Sequence, residues 1–526
     1  MDLQDVQSWL NDILMEVSIH FHKVPGSAIF LRYVKSSYQN DPVRSAVELF
    51  LVLFAIRYLA APAYSTQKKS FVTLSEEACR LHSDIGQLLT SLKEVDELID
   101  EWTPEPLVAP LTLFEEAENE KRPVIVGPTG PKSKLSNGRT VTNLASYNFY
   151  NLISNETLKE KAIQVLRTYG VGPCSPPGFY GTQDVHIKTE ADIAAHLGTP
   201  ACIVYAQAFS TISSVISAFS KRGDIIVADR AVNYAIRKGI QISRSTIRWY
   251  EHNDMHDLQR VLENVVTEQA KKPLTRRFII TEGLFENIGD MIDLPKIIEL
   301  GRQYKFRLIL DETWSFGVLG RTGRGITEHQ NVDAAEVDMI VGSLAGPLCA
   351  GGGFCAGSDA IVEHQRISAS AYTFSAALPA MLATTASEVL SMLQTNPEML
   401  TTVRENIKTM WAQLDPRSDW VHCTSSAENP IIVLTLKADL IASKKLRIAD
   451  QEQLLQEVVD ETLANGVLIT RLKSMPRAIN ATTKDIGWEL QPALKVCVTS
   501  GLSKKEIERA GITIRHAVTK IVNKRR

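Results

Sequence analysis

Along the first hundred residues, hydrophobic positions recur at helical spacing in three separate blocks. Leu3, Val6, Leu10, Ile13, Leu14, Val17 and Phe21 line one face of an amphipathic helix that must stop before Pro25-Gly26. Its polar face is not basic, so packing on a partner or a core stays as open as lying on a membrane. The second block, Ser45 to Ala61, has an uninterrupted apolar stretch from Leu49 to Ile56, with Glu48 and Arg57 near its ends. That stretch is shorter than the roughly 20 residues that cross hydrocarbon, although the two charged heads could reach the interfaces. Hydropathy alone leaves a transmembrane helix and a buried core helix equally open. In the third block Leu74, Ala78, Leu81, Ile85, Leu88, Leu92, Val95 and Ile99 alternate steps of four and three, which predicts a narrow helical seam. Pro104 and Pro106 then make a stiff exit.

From about Asn143 the pattern changes to short apolar strands alternating with helices, which predicts a doubly wound α/β domain with a mainly parallel sheet. After a helical region to about Leu414, strands are expected at Pro430 to Leu436, Gly466 to Arg471 and Leu494 to Thr499, with a last helix from Lys504 to Val522. These form a smaller α+β lobe. The expected division is N-terminal amphipathic and anchor helices at 1–101, a linker at 102–142, a large domain at 143–395 and a small domain at 396–526.

Composition removes several classes of function. The formal net charge is −3, so nothing electrostatic points to nucleic acid. Seven scattered cysteines form no CxxC pair and no metal-ligand spacing, which suggests a reducing compartment and no structural metal. The acidic N-terminus lacks the basic start and cleavage site of a signal peptide.

The candidate chemistry lies where strands end. Leu308-Ile309-Leu310 runs into Asp311-Glu312-Thr313-Trp314, and Val337 to Val341 runs into the glycine-rich stretch 342–354. Short apolar runs ending in an acid or in glycines read as buried parallel strands whose carboxyl ends carry a site. Tyr169 to His186, rich in glycine and proline, is a long loop, and long loops inside compact domains are uncommon unless functional.

These stretches, with YGVGPCSPPGFYGTQDVH, SKRGDIIVADRAVNYAIRKG, EHNDMHDLQRVL, TRRFIITEGLF, DETWSFGVLGRTGRGITEH and FSAALPA, run in register from about Trp102 to the end. Together they resemble the α-oxoamine synthases, pyridoxal-phosphate (PLP) enzymes with a fold-type I transferase domain. Within them the match is to the non-catalytic first-subunit branch of the eukaryotic serine palmitoyltransferases. The resemblance implies that the acid ending the first strand pairs with the pyridinium nitrogen, a role that falls on Asp311. It implies a Schiff-base lysine in the glycine-rich loop, but that position is Gly346, and no lysine occurs between Lys305 and Lys408. The ring-stacking histidine is replaced by Asn233 and a second histidine by Trp314, and the phosphate turn reads Tyr205-Ala206-Gln207-Ala208-Phe209. The substrate-carboxylate arginine falls on Lys495, read as a solvated strand-end lysine. Asp311 reads better as an acid capping nearby amides than as a working cofactor partner.

The expectation is therefore a chain with no catalytic residue and no metal ligand of its own, with Asp311 vestigial. Related enzymes are dimers with interfacial sites, so such a chain can still complete a partner's site. Ser375 is the candidate contact to the partner's PLP phosphate, and Cys174 and Tyr180 are the candidate interface residues. Cys174 itself, with no neighbouring base in sequence, reads as a small packed residue. The resemblance further implies PLP bound covalently by the partner, which is the catalytic second subunit. It also implies a small activating subunit and Orm-type regulators, and a single-pass anchor in the endoplasmic reticulum membrane with the body in the cytosol. An autonomous PLP-dependent C-acyltransferase using a distant lysine, and a pure membrane scaffold, are the competing readings.

Overall fold

The computed structural model describes residues 110–473 and 490–524, together with isolated residues between Ser27 and Asp100. The helix expected from Leu3 to Phe21 and nearly all of the seam from Leu74 to Ile99 lie outside the described residues. Contacts divide the chain into Met1–Pro110 and Leu111–Arg526. In the first unit the described residues from Val43 to Arg57 are helical. Phe50, Leu51, Leu53 and Phe54 expose more than half of their surface there. Among the described residues no helix is long and apolar enough to cross a membrane.

The second unit begins with the helix Leu113–Glu120, followed by a short hairpin of β1 (Lys132–Lys134) and β2 (Thr140–Asn143). Its centre is a seven-stranded sheet of β3 (Ala201–Tyr205), β4 (Ile225–Asp229), β5 (Thr246–Tyr250), β6 (Arg277–Glu282), β7 (Arg307–Asp311), β8 (Met339–Ser343) and β9 (Gly353–Gly357). Their order is β3-β9-β8-β7-β6-β4-β5. Strands β4 to β8 are parallel, and only β9 runs against its neighbours β8 and β3. Helices on both faces bury Ile226, Ile279, Ile280, Ile309 and Ile340 completely, which is why these strands read as continuous apolar runs. Because the strands are parallel, Asp229, Glu282 and Asp311 emerge at one edge, with Glu282 directly opposite Asp311.

Strand β9 was not expected, since glycines weaken a strand. Here they mark close approach. A Cβ on Gly353 would lie 2.4 Å from Thr211 Oγ1, and one on Gly342 of the neighbouring β8 would lie 2.4 Å from the Phe354 ring of β9.

The C-terminal lobe has an antiparallel sheet in the order β10-β11-β14-β13, made of β10 (Val421–Cys423), β11 (Ile431–Leu436), β13 (Thr470–Arg471) and β14 (Ala493–Cys497). The single strand expected at Gly466 to Arg471 is two short ones, β12 (Val467–Leu468) and β13. The reading of 102–142 as a linker is corrected over its described part. Leu113–Glu120 is a helix closed by a Thr112–Glu115 capping box, and β2 pairs in parallel with β12. Those hydrogen bonds tie residues 140–143 to the C-terminal lobe 325 residues onward (Thr142 against Val467). One apolar cluster runs from Leu144 to Val522, so the two lobes share a core.

Candidate functional site

Strand β7 delivers Asp311 to the sheet edge with only 2% of its surface exposed. Its Oδ2 accepts a bond from Asn233 Nδ2 at 2.9 Å, and its Oδ1 accepts the Thr313 N–H at 2.9 Å. Asn233 is fully engaged. Its Oδ1 caps the helix Tyr234–Ser243 by accepting the Ile236 N–H at 3.0 Å, and its own N–H donates to Glu282 Oε1 at 2.7 Å. Asparagine suits a helix N-cap because its short side chain reaches an unpaired amide. Glu282, which the sequence reading passed over, is 1% exposed and also accepts the Glu286 N–H at 3.1 Å. The signal for it was available: RFIITE is an apolar run ending in an acid, like RLILD. Burial raises the pKa of Asp311, and it raises that of Glu282 further, with the charges of Asp311 and Glu286 adding to the second shift.

Lys495 corrects the reading of a solvated lysine, since only 4% of it is exposed. Its ammonium lies 5.0 Å from the Tyr147 ring centre and 5.1 Å from that of Trp314, and it donates to Tyr147 Oη at 2.8 Å. Glu286 stands 3.9 Å away. Burial alone would lower its pKa, but Tyr147, Glu286 and Cys497 outweigh burial and raise it. The amine lies between two aromatic faces, a favourable setting for an ammonium. Among the described residues, Lys495 is the lysine beside Trp314, and its amine is already engaged by Tyr147 Oη.

These residues lack the amine that a covalent PLP site needs. The Asp311 oxygens each accept one hydrogen bond, Oδ2 from the Asn233 amide and Oδ1 from the Thr313 N–H. Trp314 and Tyr147 pack with ring centres 4.8 Å apart. Gly346 brings no amine, and Ala208 opens its helix without a side-chain cap from Gln207. Among the described residues no cluster of metal-ligating side chains is present.

A second group lies apart in sequence. Cys174 and Tyr180, both with left-handed backbone (φ +59° and +63°), sit in the loop before the helix Asp184–Leu197. Cys174 is exposed, which corrects the reading of a packed residue, and Tyr180 is wholly exposed. Ser375 is exposed on the loop after the short helix Ser370–Thr373. The two loops meet where the Ala377 N–H donates to Ser175 O at 2.9 Å.

Residues 139–512 match the family described as aminotransferase class I and II. Serine palmitoyltransferase 1 of Saccharomyces cerevisiae is 36% identical over 94% of this chain and 92% of its own length. The chain belongs to the serine palmitoyltransferase 1 family. The protein of that name from Dictyostelium discoideum is 41% identical over 79% of this chain and 85% of its own. Long chain base biosynthesis protein 1 of Arabidopsis thaliana is 38% identical over 82% and 86%. Among solved structures, the Sphingomonas wittichii serine palmitoyltransferase covers 84% of this chain and 99% of its own at a TM-score of 0.65 and 19% identity, which shows the shared fold.

In this member of the serine palmitoyltransferase 1 family, the loop bearing Asn233 is anchored by a part-buried acid–imidazole–acid chain in which only Asp229 is fully buried. His252 Nδ1 is 3.0 Å from Asp229 Oδ1 and its Nε2 is 3.0 Å from Asp290 Oδ2, while Asp229 also accepts the Ala231 N–H at 2.7 Å. Burial opposes the charge, but the bonds and charges of both aspartates prevail and raise His252 from 6.5 to about 10. A raised folded-state pKa stabilises most below the unfolded value and loses its effect as pH rises through the folded one. The Tm advantage of the native chain over His252→Gln should therefore be full below pH 6.5 and vanish as pH rises through about 10. Thermal melts of both proteins across that window check it; an advantage that grows with pH would reverse the assignment.

Proposed function

We propose that this chain is the non-catalytic subunit of a heteromeric serine palmitoyltransferase, the acyltransferase that condenses L-serine with palmitoyl-CoA to 3-oxosphinganine at the start of sphingolipid biosynthesis. The observation that carries the reading is Gly346, which offers no amine for a Schiff base at the place where the family's lysine would stand, beside an Asp311 bonded to Asn233. A chain that has internalised its own site serves best by completing another. PLP is accordingly bound covalently by the catalytic second subunit, and the loops at Cys174, Tyr180 and Ser375 face that shared site, with Ser375 toward the cofactor phosphate. A hydroxyl and backbone amides suit a phosphate chemically. A small activating subunit and Orm-type regulators complete the proposed assembly.

Expression of this chain and its catalytic partner, singly and together, tests the reading through condensation of serine with palmitoyl-CoA. Activity should require both chains. Activity from this chain alone would sink it.

The proposed location is the endoplasmic reticulum membrane, anchored once near Ser45 to Ala61, with the body in the cytosol. The exposed apolar side chains of Phe50, Leu51, Leu53 and Phe54 support a surface that seeks an apolar partner. The chain should stay with membranes through alkaline carbonate extraction, and an acceptor site engineered into the body should remain unglycosylated. Release of the intact chain, or glycosylation of the body, would contradict the location.

A further inference from the structure

His186 opens the helix Asp184–Leu197 at its third residue and is 6% exposed. Its Nδ1 accepts the Gln183 N–H at 2.9 Å, which leaves the ring proton on Nε2. That nitrogen donates to Leu378 O at 2.5 Å, across 192 residues of sequence. One neutral imidazole thus joins the base of the loop carrying Cys174 and Tyr180 to the base of the loop carrying Ser375. The Ala377 N–H to Ser175 O bond is a second strap between the same loops. The first loop is tight as well as tied: a Cβ on Gly181 would lie 2.0 Å from Ser175 O, and Thr182 Oγ1 donates to Pro177 O at 3.1 Å.

Above these buried ties both loops present large exposed side chains. Phe179 is 63% exposed, Tyr180 fully so and Phe374 82%. Left-handed backbone at Cys174 and Tyr180 is held only where surrounding structure over-determines it. Behind the second loop, Arg366 donates to Tyr372 Oη and to Glu190, each at 2.8 Å, so the short helix before Ser375 is also fixed.

We propose that His186 is a positioning residue that makes the two loops one rigid element, presented as a unit to the catalytic subunit. This rests on the function proposed above. The imidazole contacts no reacting group; it sets where Cys174, Tyr180 and Ser375 stand. Displacements of about 1 Å near a reacting centre can lower a rate roughly 100-fold, so loosening the tie acts on turnover more than on folding.

The test uses His186→Leu, which keeps much of the ring's bulk but can neither accept the Gln183 N–H nor donate to Leu378 O. In complex with the catalytic subunit, kcat should fall about tenfold, with KM for serine within about twofold and assembly unchanged, since the loss lies in transition-state positioning. In the full chain without a partner, the Ala377 amide should exchange hydrogen about tenfold faster than in the native chain, because local opening sets exchange. A native kcat in the assembled complex, or unchanged Ala377 exchange, would overturn the proposal. Should the variant not fold, the native chain still decides. Gln183 and Ala377 amides closed by one bridge should show protection within about threefold of each other, and a difference above about tenfold would exclude a common tie. If the native pair of chains shows no joint activity, the functional reading fails instead, and the exchange results judge the coupling by themselves.

Discussion

Ser375→Phe should lower condensation by the assembled two-chain complex by about tenfold or more, while leaving the isolated chain as stable as before. Ser375 is exposed in this chain, and its hydroxyl makes only a long contact to Ala376 O at 3.5 Å. Substitutions at exposed positions usually change stability by less than about 0.5 kcal/mol, so the Tm of the chain alone should barely move. In the complex the same position is proposed to lie against the catalytic subunit. Overfilling a packed site costs typically about 1–3 kcal/mol, and each 1.4 kcal/mol at a transition state is roughly tenfold in rate. The Phe374 N–H bond to Ser370 O and the Ala377–Ser175 strap hold the loop backbone on either side, so the new ring has little freedom to turn away. The measurement pairs co-purification of both chains with kcat for serine and palmitoyl-CoA. Full activity in a complex containing both chains would place Ser375 away from any shared site.

Gly346→Lys should not yield a PLP-binding chain, although it restores the lysine of the α-oxoamine synthase pattern. Gly346 has φ +62°, and a side chain there costs about 1–2 kcal/mol because of left-handed backbone. Space for the first carbon exists, since the nearest atom to a Cβ is that of Tyr147 at 3.9 Å. The obstacle is the surrounding chemistry. Asp311 is bonded to Asn233, Trp314 and Tyr147 pack together, and Lys495 already brings a cation between them. Incubation with PLP and borohydride, followed by peptide mass analysis, should find no stoichiometric adduct at residue 346. A full adduct there would show that the missing amine alone kept the cofactor out.

Much of this protein could be read from local pattern. The strands β7, β8, β11 and β14 were legible because strands in a covered sheet are apolar throughout, and their ends fall at acids and glycines. The absence of a lysine between Lys305 and Lys408, and the presence of Asn233 and Trp314 in loops after strand ends, are facts of residue identity that need no coordinates. That Asp311, a strand-end acid, would accept from nearby amides was also legible, because such acids meet unpaired N–H groups where loops begin, and it does accept the Thr313 N–H.

The tertiary structure alone decided which distant groups satisfy one another. Nothing in the order of residues pairs Tyr147 and Trp314 with Lys495, and a lysine at a strand end is usually solvated. It is buried here because two rings and a phenol oxygen from other parts of the chain replace its water. Strand β9 was hidden for a similar reason. Its glycines report the absence of space beside Thr211, which composition counts as absence of structure. The tie from His186 to Leu378 is of the same kind, as is the pairing of β2 with β12. Period and composition reveal what each segment buries; only the folded chain reveals against what, since a buried polar group takes its partner from space rather than from sequence.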